Sequence, residues 1–225
     1  MKPVFSLIFS LFTLLAPAQE SEVRNVGSFS GIKAAEGIDV YLKKGDKEGV
    51  KVEVTGTRLS NVITEISGSY LKIHMREGNY RNNDVNVYVT YVNLEKLSCS
   101  SAASVFSEEV IRTDELEISV SSAGSIDIKL DAGEVEVDAS SSGEAELQGK
   151  VRFLSIDVSS AGEVDAYDLE AEKVSVNASS AGTAKVNALK ELEAEASSAG
   201  SIRYRGNPAR SITNASSGGS VKKSN

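Results

Sequence analysis

Carboxylates recur in the C-terminal half of this 225-residue chain at a spacing of about one every nineteen residues: Asp127, Glu146 and Asp165, with Glu144 and Glu163 two residues before the last two. Brought side by side, such groups have two chemistries open to them. Several carboxylate oxygens around one point hold a hard cation, Ca²⁺ above all. Two carboxyl groups flanking a sugar linkage serve as acid and base or nucleophile in glycoside cleavage. The same spacing continues into Lys185, Arg203 and Lys222, so one column changes sign along its length. Without a cation, the acidic part is a solvated face whose repulsion water and salt screen.

Other chemistry-bearing groups are few. Seven serine pairs offer hydroxyl nucleophiles, but no His or Lys recurs in register to activate them. The single His, His74, lies in an alternating stretch with Leu71, Ile73 and Met75 inward, which turns it outward among Tyr70, Lys72 and Arg76. The single Cys, Cys99, excludes an internal disulfide and a Cys-based zinc site, and its register is that of a small buried hydrophobe. The longest polar interruption, Arg76 to Asp84, carries Arg76, Tyr80 and Arg81, residue types that pack on a sugar or a peptide when a rigid scaffold presents them. The plainer reading of that stretch is a hairpin tip.

The element that positions these groups is a repeat. Ser-Ser-Ala-Gly or a close variant begins at Ser100, Ser121, Ser140, Ser159, Ser179, Ser197 and Ser216. A fixed period over seven copies is a solenoid signature. Before each serine pair, apolar residues alternate with polar ones, as in Leu116-Glu117-Ile118-Ser119-Val120, and a second alternating stretch follows, as in Ile126-Asp127-Ile128. That is the period of strands with one buried face. Two or three short strands per repeat, with no helix between them, stack in parallel on those of the next repeat. The fold class is therefore all-β, a parallel β-helix, and nineteen residues at roughly 3.3 Å each give a three-sided coil of about 63 Å contour rising about 4.8 Å per turn. Glycine at the corner reads as a positive-φ residue, and continued alternation turns the second serine of each pair, Ser122 and its equivalents, inward as a hydroxyl ladder. Asp138, Asp157, Asn177, Glu195 and Asn214 form a further column, read as an amide-bearing structural ladder.

Residues 1–18 stand apart. Lys2, the apolar run Val4 to Leu15 and Ala16-Pro17-Ala18 form a secretory signal peptide, which leaves 19–225 as one β-helix domain: less regular N-terminal coils or a hairpin-bearing cap over 19–93, and regular coils over 94–225. In the N-terminal part, Gly45-Asp46 and Gly68-Ser69 read as turns between paired strands. No Cys follows the cleavage site to carry a lipid, and no second apolar run is long enough to cross a membrane. The expected location is periplasmic, outer-membrane-associated or secreted. A formal charge of −8 disfavours nucleic acid as a partner.

Phe29-Ser30-Gly31-Ile32, Gly37-Ile38-Asp39-Val40-Tyr41-Leu42, Leu71-Lys72-Ile73, Val85 to Thr90 with Leu94-Glu95-Lys96-Leu97, and the Ser-Ser-Ala-Gly coils together resemble the auto-transporter adhesin head GIN domains of exported Bacteroidetes-type proteins. The resemblance covers nearly the whole chain after the signal peptide. It implies a right-handed parallel β-helix and an adhesin role, and brings no catalytic motif. Only Lys222-Lys223-Ser224-Asn225 follows the last coil, a departure from an auto-transporter, which needs a translocator barrel.

The function expected from these residues is a non-enzymatic, exported cell-envelope module that presents flat faces to a glycan or protein partner, with no cofactor beyond a Ca²⁺ ion on the acidic column. The flat faces also allow a homo-oligomer. The alternative is a carbohydrate-active enzyme using the stacked acids. Against it, coils of 18 to 21 residues leave no chain for the walls of a cleft.

Overall fold

The computed structural model describes residues 19–224, the side chain of Glu108 excepted; the signal peptide read at 1–18 lies outside the described residues. In chain order the strands are β1 (Glu20–Arg24), β2 (Gly31–Ala34), β3 (Asp39–Lys44), β4 (Gly49–Thr55), β5 (Val62–Ser67), β6 (Tyr70–Met75), β7 (Asp84–Tyr91), β8 (Lys96–Cys99), β9 (Ser104–Val120), β10 (Ser125–Ala139), β11 (Glu144–Val158), β12 (Glu163–Ala178), β13 (Thr183–Ala196), β14 (Ser201–Arg205), β15 (Arg210–Ala215) and β16 (Ser220–Lys223). All belong to one 16-stranded sheet that winds as a β-solenoid of about seven turns.

From β9 to β13 each coil is a single hydrogen-bonded run of 14–17 residues, broken only by the Ser-Ser-Ala-Gly turn, rather than separate short strands. Each rung repeats the inward set that the alternation marks. Leu116, Val135, Leu154, Val174 and Leu192 stack as one apolar column, and Ile118, Val137, Ile156, Val176 and Ala194 as the next. Burial of each such aliphatic side chain contributes about 1.5–3 kcal/mol, and the columns make that gain continuous along the rod. β10 and β11 pair without a register shift, whereas the longer or shorter coils place their length difference in bulges, between Asp127 and Lys129 against β9 and between Glu146 and Gly149 against β12. A bulge inside a strand leaves the turn ladder in phase.

The turn differs from its sequence reading. The second and third residues carry the positive φ, 51° at Ser122 and 58° at Ala123, and both side chains are exposed, so the second serines form no inward ladder. With the Gly124 N–H donating to the Ser121 carbonyl at 2.9 Å, this is the sign pattern of a type I′ turn. The fourth residue is glycine for clearance. A Cβ on Gly124 would sit 2.8 Å from the Cys99 carbonyl oxygen of the preceding coil, and on Gly143 2.6 Å from that of Val120. The cost of two left-handed non-glycine residues is offset by a bond available only to stacked turns: the Ala123 N–H donates to Ser141 O at 3.2 Å, and the same bond recurs in each successive coil.

The N-terminal part adds a hairpin and further antiparallel strands to the stack. Strands β2 and β3 form a coil whose turn, Ala35-Glu36-Gly37, has positive φ at Glu36 and Gly37 and bonds Ser101 O from the Gly37 N–H at 3.0 Å, an eighth copy hidden in unrelated residues. The β6–β7 coil, later in sequence, stacks on its outer side, while β8 and β9 stack on its inner side. Gly68-Ser69 joins the antiparallel pair β5–β6 as expected. Gly45-Asp46 does not join paired strands: β4 runs antiparallel to β7, which lies between it and β3. Strand β1 closes this edge on β4. Antiparallel additions end the parallel stack without leaving a long bare ladder.

Candidate binding surface

Stacking turns register into surface columns. On the face formed by the first half of each coil, Phe106, Asp127, Glu146, Asp165, Lys185, Arg203 and Lys222 are successive neighbours, and Ser104, Ser125, Glu144, Glu163, Thr183, Ser201 and Ser220 run beside them. All five expected acids therefore share one face. They lie along lines rather than around a point, and among the described residues no three His, Cys, Asp or Glu side chains are grouped to hold a metal ion. At the change of sign, the Lys185 Nζ donates to Asp165 Oδ2 and Glu163 Oε1, each at 2.9 Å, and these two bonds hold its ammonium well above the usual lysine range.

Toward the N-terminus the same column becomes aromatic. Tyr88, Tyr41 and Phe106 stack with centroids 5.2 and 5.4 Å apart, and Lys51 Nζ stands 5.7 Å from the Tyr88 centroid. Their ring faces are turned to one another, so the stack fastens the N-terminal strands β3 and β7 to β9. Sequence reasoning missed it because the three residues share only a register, which becomes readable once the pairing of β3 with both β7 and β9 is known.

The loop between β6 and β7 places its residues differently from one another. Tyr80 is half-buried, packs against the core, and lies over Gly78, where a Cβ would meet its ring carbons at 2.9 Å. The ring packs on the core rather than projecting fully into solvent. Arg76 and Arg81 are exposed; the Arg76 backbone N–H donates to Asn61 O at 2.6 Å and ties the loop to the short 3₁₀ turn Leu59–Asn61. His74 is half-buried, its Nδ1 2.9 Å from Met75 O. Cys99 is buried, its Sγ donates to Ala103 O at 3.0 Å, and burial pushes the thiol up to about 11, an inert group.

The second half of each coil builds a less even face. A groove of about 1150 Å³ runs across β9 to β13, lined in part by Thr113, Ala132 and Val151, successive neighbours in one column. Its lining interleaves Lys96, Arg112, Lys150 and Arg152 with seven acids, Glu95, Asp114, Glu115, Glu117, Asp131, Glu170 and Glu172, and Leu189 is exposed. Beside the groove residue Arg152, Phe153 is 44% exposed, flanked by Arg152 and Lys173 at 5.8 and 5.7 Å from the ring centroid, and lines a separate hollow of about 290 Å³ that reaches Arg210 and Ile212. Of the exposed large apolar side chains, Leu189 lines the groove and Phe153 and Ile212 line the hollow next to it.

Farther along that face is the expected ladder. Asp138, Asp157, Asn177, Glu195 and Asn214 are successive neighbours; Asn177 Nδ2 donates to Asp157 Oδ1 at 3.1 Å and Asn214 Nδ2 to Glu195 Oε1 at 3.2 Å. Among the described residues Asp138 accepts no such amide bond. Partial desolvation, then the charges of Asp157 and Glu117, raise its carboxyl above the usual range.

A family model described as "Putative auto-transporter adhesin, head GIN domain" matches residues 28–208. The chain belongs to that family. Crystal structures share the fold of this head GIN domain. A putative adhesin from Bacteroides fragilis aligns with a TM-score of 0.80 at 19% identity, over 93% of this chain and 98% of that one. A putative adhesin from Parabacteroides merdae gives 0.76 at 18% identity over 92% and 96%. A protein from Parabacteroides distasonis described as a putative lipid binding protein gives 0.70 at 20% over 92% and 97%. At such identities the likeness is one of fold. No curated protein matches the chain in sequence.

Proposed function

We propose that this head GIN domain is an exported, non-catalytic adhesion module of the cell envelope, and that its partner is a glycan seated in the groove beside Phe153. The groove carries the reading. Its guanidinium and ammonium donors alternate with carboxylate acceptors, which suits a neutral chain of hydroxyl groups that both give and take hydrogen bonds. A polyanion would meet the seven acids that line it, and an exposed aromatic edge gives the C–H face of a sugar something to pack on. The family and the adhesins that share the fold support the role. Among the described residues no helix is long and apolar enough to cross a membrane.

Raised carboxyls, the feature that would favour hydrolysis, occur at Asp39 and Asp138, and both sit outside the groove's lining. A glycan array combined with a reducing-sugar release assay on the glycans retained tests the proposal. Retention without release is the expected result; release of reducing ends assigns the protein to catalysis instead.

A further inference from the structure

The column Asp127, Glu146, Asp165, Lys185, Arg203, Lys222 reads as three acids followed by three bases on six consecutive rungs. Such an order is complementary to its own reverse. We infer that this face is a homodimer surface on which a second copy of the chain docks antiparallel, about a two-fold axis that runs along the strand direction between the rungs of Asp165 and Lys185. That axis reverses the order of rungs and leaves each column facing itself. Asp127 then faces Lys222 of the second copy, Glu146 faces Arg203, and each contact occurs twice, as an isologous interface requires.

The charges left open within one molecule are the ones this docking uses. Lys185 is already held by Asp165 and Glu163, so the centre of the column is neutralised from within. On either side of it, Asp127, Glu144, Arg203 and Lys222 take part in no ion pair among the described residues, and Glu146 accepts only a 3.3 Å bond from Gln148 Nε2. Four lysines elsewhere on the regular coils do find acids: Lys96 pairs with Glu117, Lys150 with Asp131, Lys173 with Glu191 and Lys190 with Glu172. The neighbouring column obeys the same symmetry, since Glu144 and Glu163 come opposite Ser201 and Thr183 of the second copy, whose hydroxyls donate to carboxylates. From Ala196 to Asn225 the sequence holds Arg203, Arg205, Arg210, Lys222 and Lys223 and no acid, so the basic half of the face has no local acid to turn to.

Six rungs at about 4.8 Å make the contact roughly 24 Å long, and three exposed columns make it roughly 15 Å wide, which is smaller than the ~800 Å² per partner of a standard interface. The dimer is therefore weak, fast to exchange and sensitive to salt, because exposed charges supply most of its attraction.

Sedimentation velocity on the protein, over a concentration series and at low and high NaCl, tests this together with two variants, Arg203→Glu and Glu146→Arg. At low salt the weight-average mass of the wild type rises with concentration toward twice the monomer and returns to monomer in high salt. Each variant alone puts like charges opposite one another, and its dimer fraction falls by roughly tenfold or more. An equimolar mixture of the two restores dimer, because the carboxylate introduced by Arg203→Glu in one copy then faces the guanidinium introduced by Glu146→Arg in the other. A wild type that stays monomeric throughout, a variant that dimerises as well as the wild type, or a mixture that stays monomeric while the wild type dimerises, each overturns the inference. Circular dichroism of the variants separates loss of association from loss of fold.

Discussion

In the turn Ser179-Ser180-Ala181-Gly182, exchanging the roles of the last two residues sets two forces against each other. Ala181 has φ of 62° and an exposed side chain, whereas a Cβ on Gly182 would lie 2.7 Å from Val158 O and 2.8 Å from its carbonyl carbon. Ordinary contact begins about 0.7 Å farther out, so Gly182→Ala has to push two coils apart at a place where Ser179 N–H donates to that same Val158 oxygen at 2.9 Å. Overpacking of this kind costs about 1–3 kcal/mol and loss of the bond about 0.5–1.5 kcal/mol more. For a domain of this size a loss of about 2–4 kcal/mol lowers the thermal midpoint by roughly 4–16 °C. Ala181→Gly works the other way. It relieves about 1–2 kcal/mol of left-handed strain against about 0.5–1 kcal/mol of added chain entropy, a net gain of roughly 0.5–1 kcal/mol. Thermal and urea unfolding followed by circular dichroism read both. A Gly182→Ala protein as stable as the wild type, or an Ala181→Gly protein clearly less stable, refutes the assignment of clearance to the fourth residue and strain to the third.

Other consequences are open to measurement. Because the folded-state carboxyl of Asp138 is raised, its contribution opposes folding at neutral pH and fades as pH falls below the ordinary carboxylate value; Asp138→Asn therefore raises the midpoint at pH 7, with the gain shrinking toward pH 3, and an equal gain at both pH values contradicts the charge argument. Cys99 stays unlabelled by a thiol reagent at pH 8 in the native protein and reacts fully in denaturant, so rapid native labelling contradicts its burial. Millimolar Ca²⁺ against EDTA leaves the thermal midpoint unmoved, since the five carboxylates of the first face lie in lines; an upward shift reveals a site that the side chains form around the ion.

The sequence carries the solenoid in full view because its signal is local and repeated: Val135, Val137 and Ala139 alternate with Glu134, Glu136 and Asp138 in one coil, and the next coils do the same. Register then follows by counting, which is why the acid and base columns stand where the spacing puts them. What stays hidden depends on partners far along the chain. The left-handed serine and alanine of each turn run against local preference and are held by a bond such as Ala181 N–H to Ser198 O, 3.1 Å away in the next coil. The order of the N-terminal strands is hidden too, since Val50, Val52 and Val54 alternate alike whether β4 pairs parallel or antiparallel, and with β3 or β7. The groove was illegible for a related reason: Lys96, Arg112, Asp131, Lys150 and Glu170 line it from five different strands and meet only when the coils stack. Of the loop residues, the sequence marks Arg76 and Arg81 as exposed but not the inward packing of Tyr80, whose partner surface belongs to the core.

Binding at the groove is tested most directly by the glycan array run with the wild type beside Phe153→Ser and Arg152→Glu, two exposed changes outside the apolar columns. A defined set of glycans retained by the wild type, not cleaved to reducing ends, and lost from both variants, is the predicted outcome. Retention that survives both substitutions, or no glycan retained by the wild type at all, contradicts the groove as the glycan site.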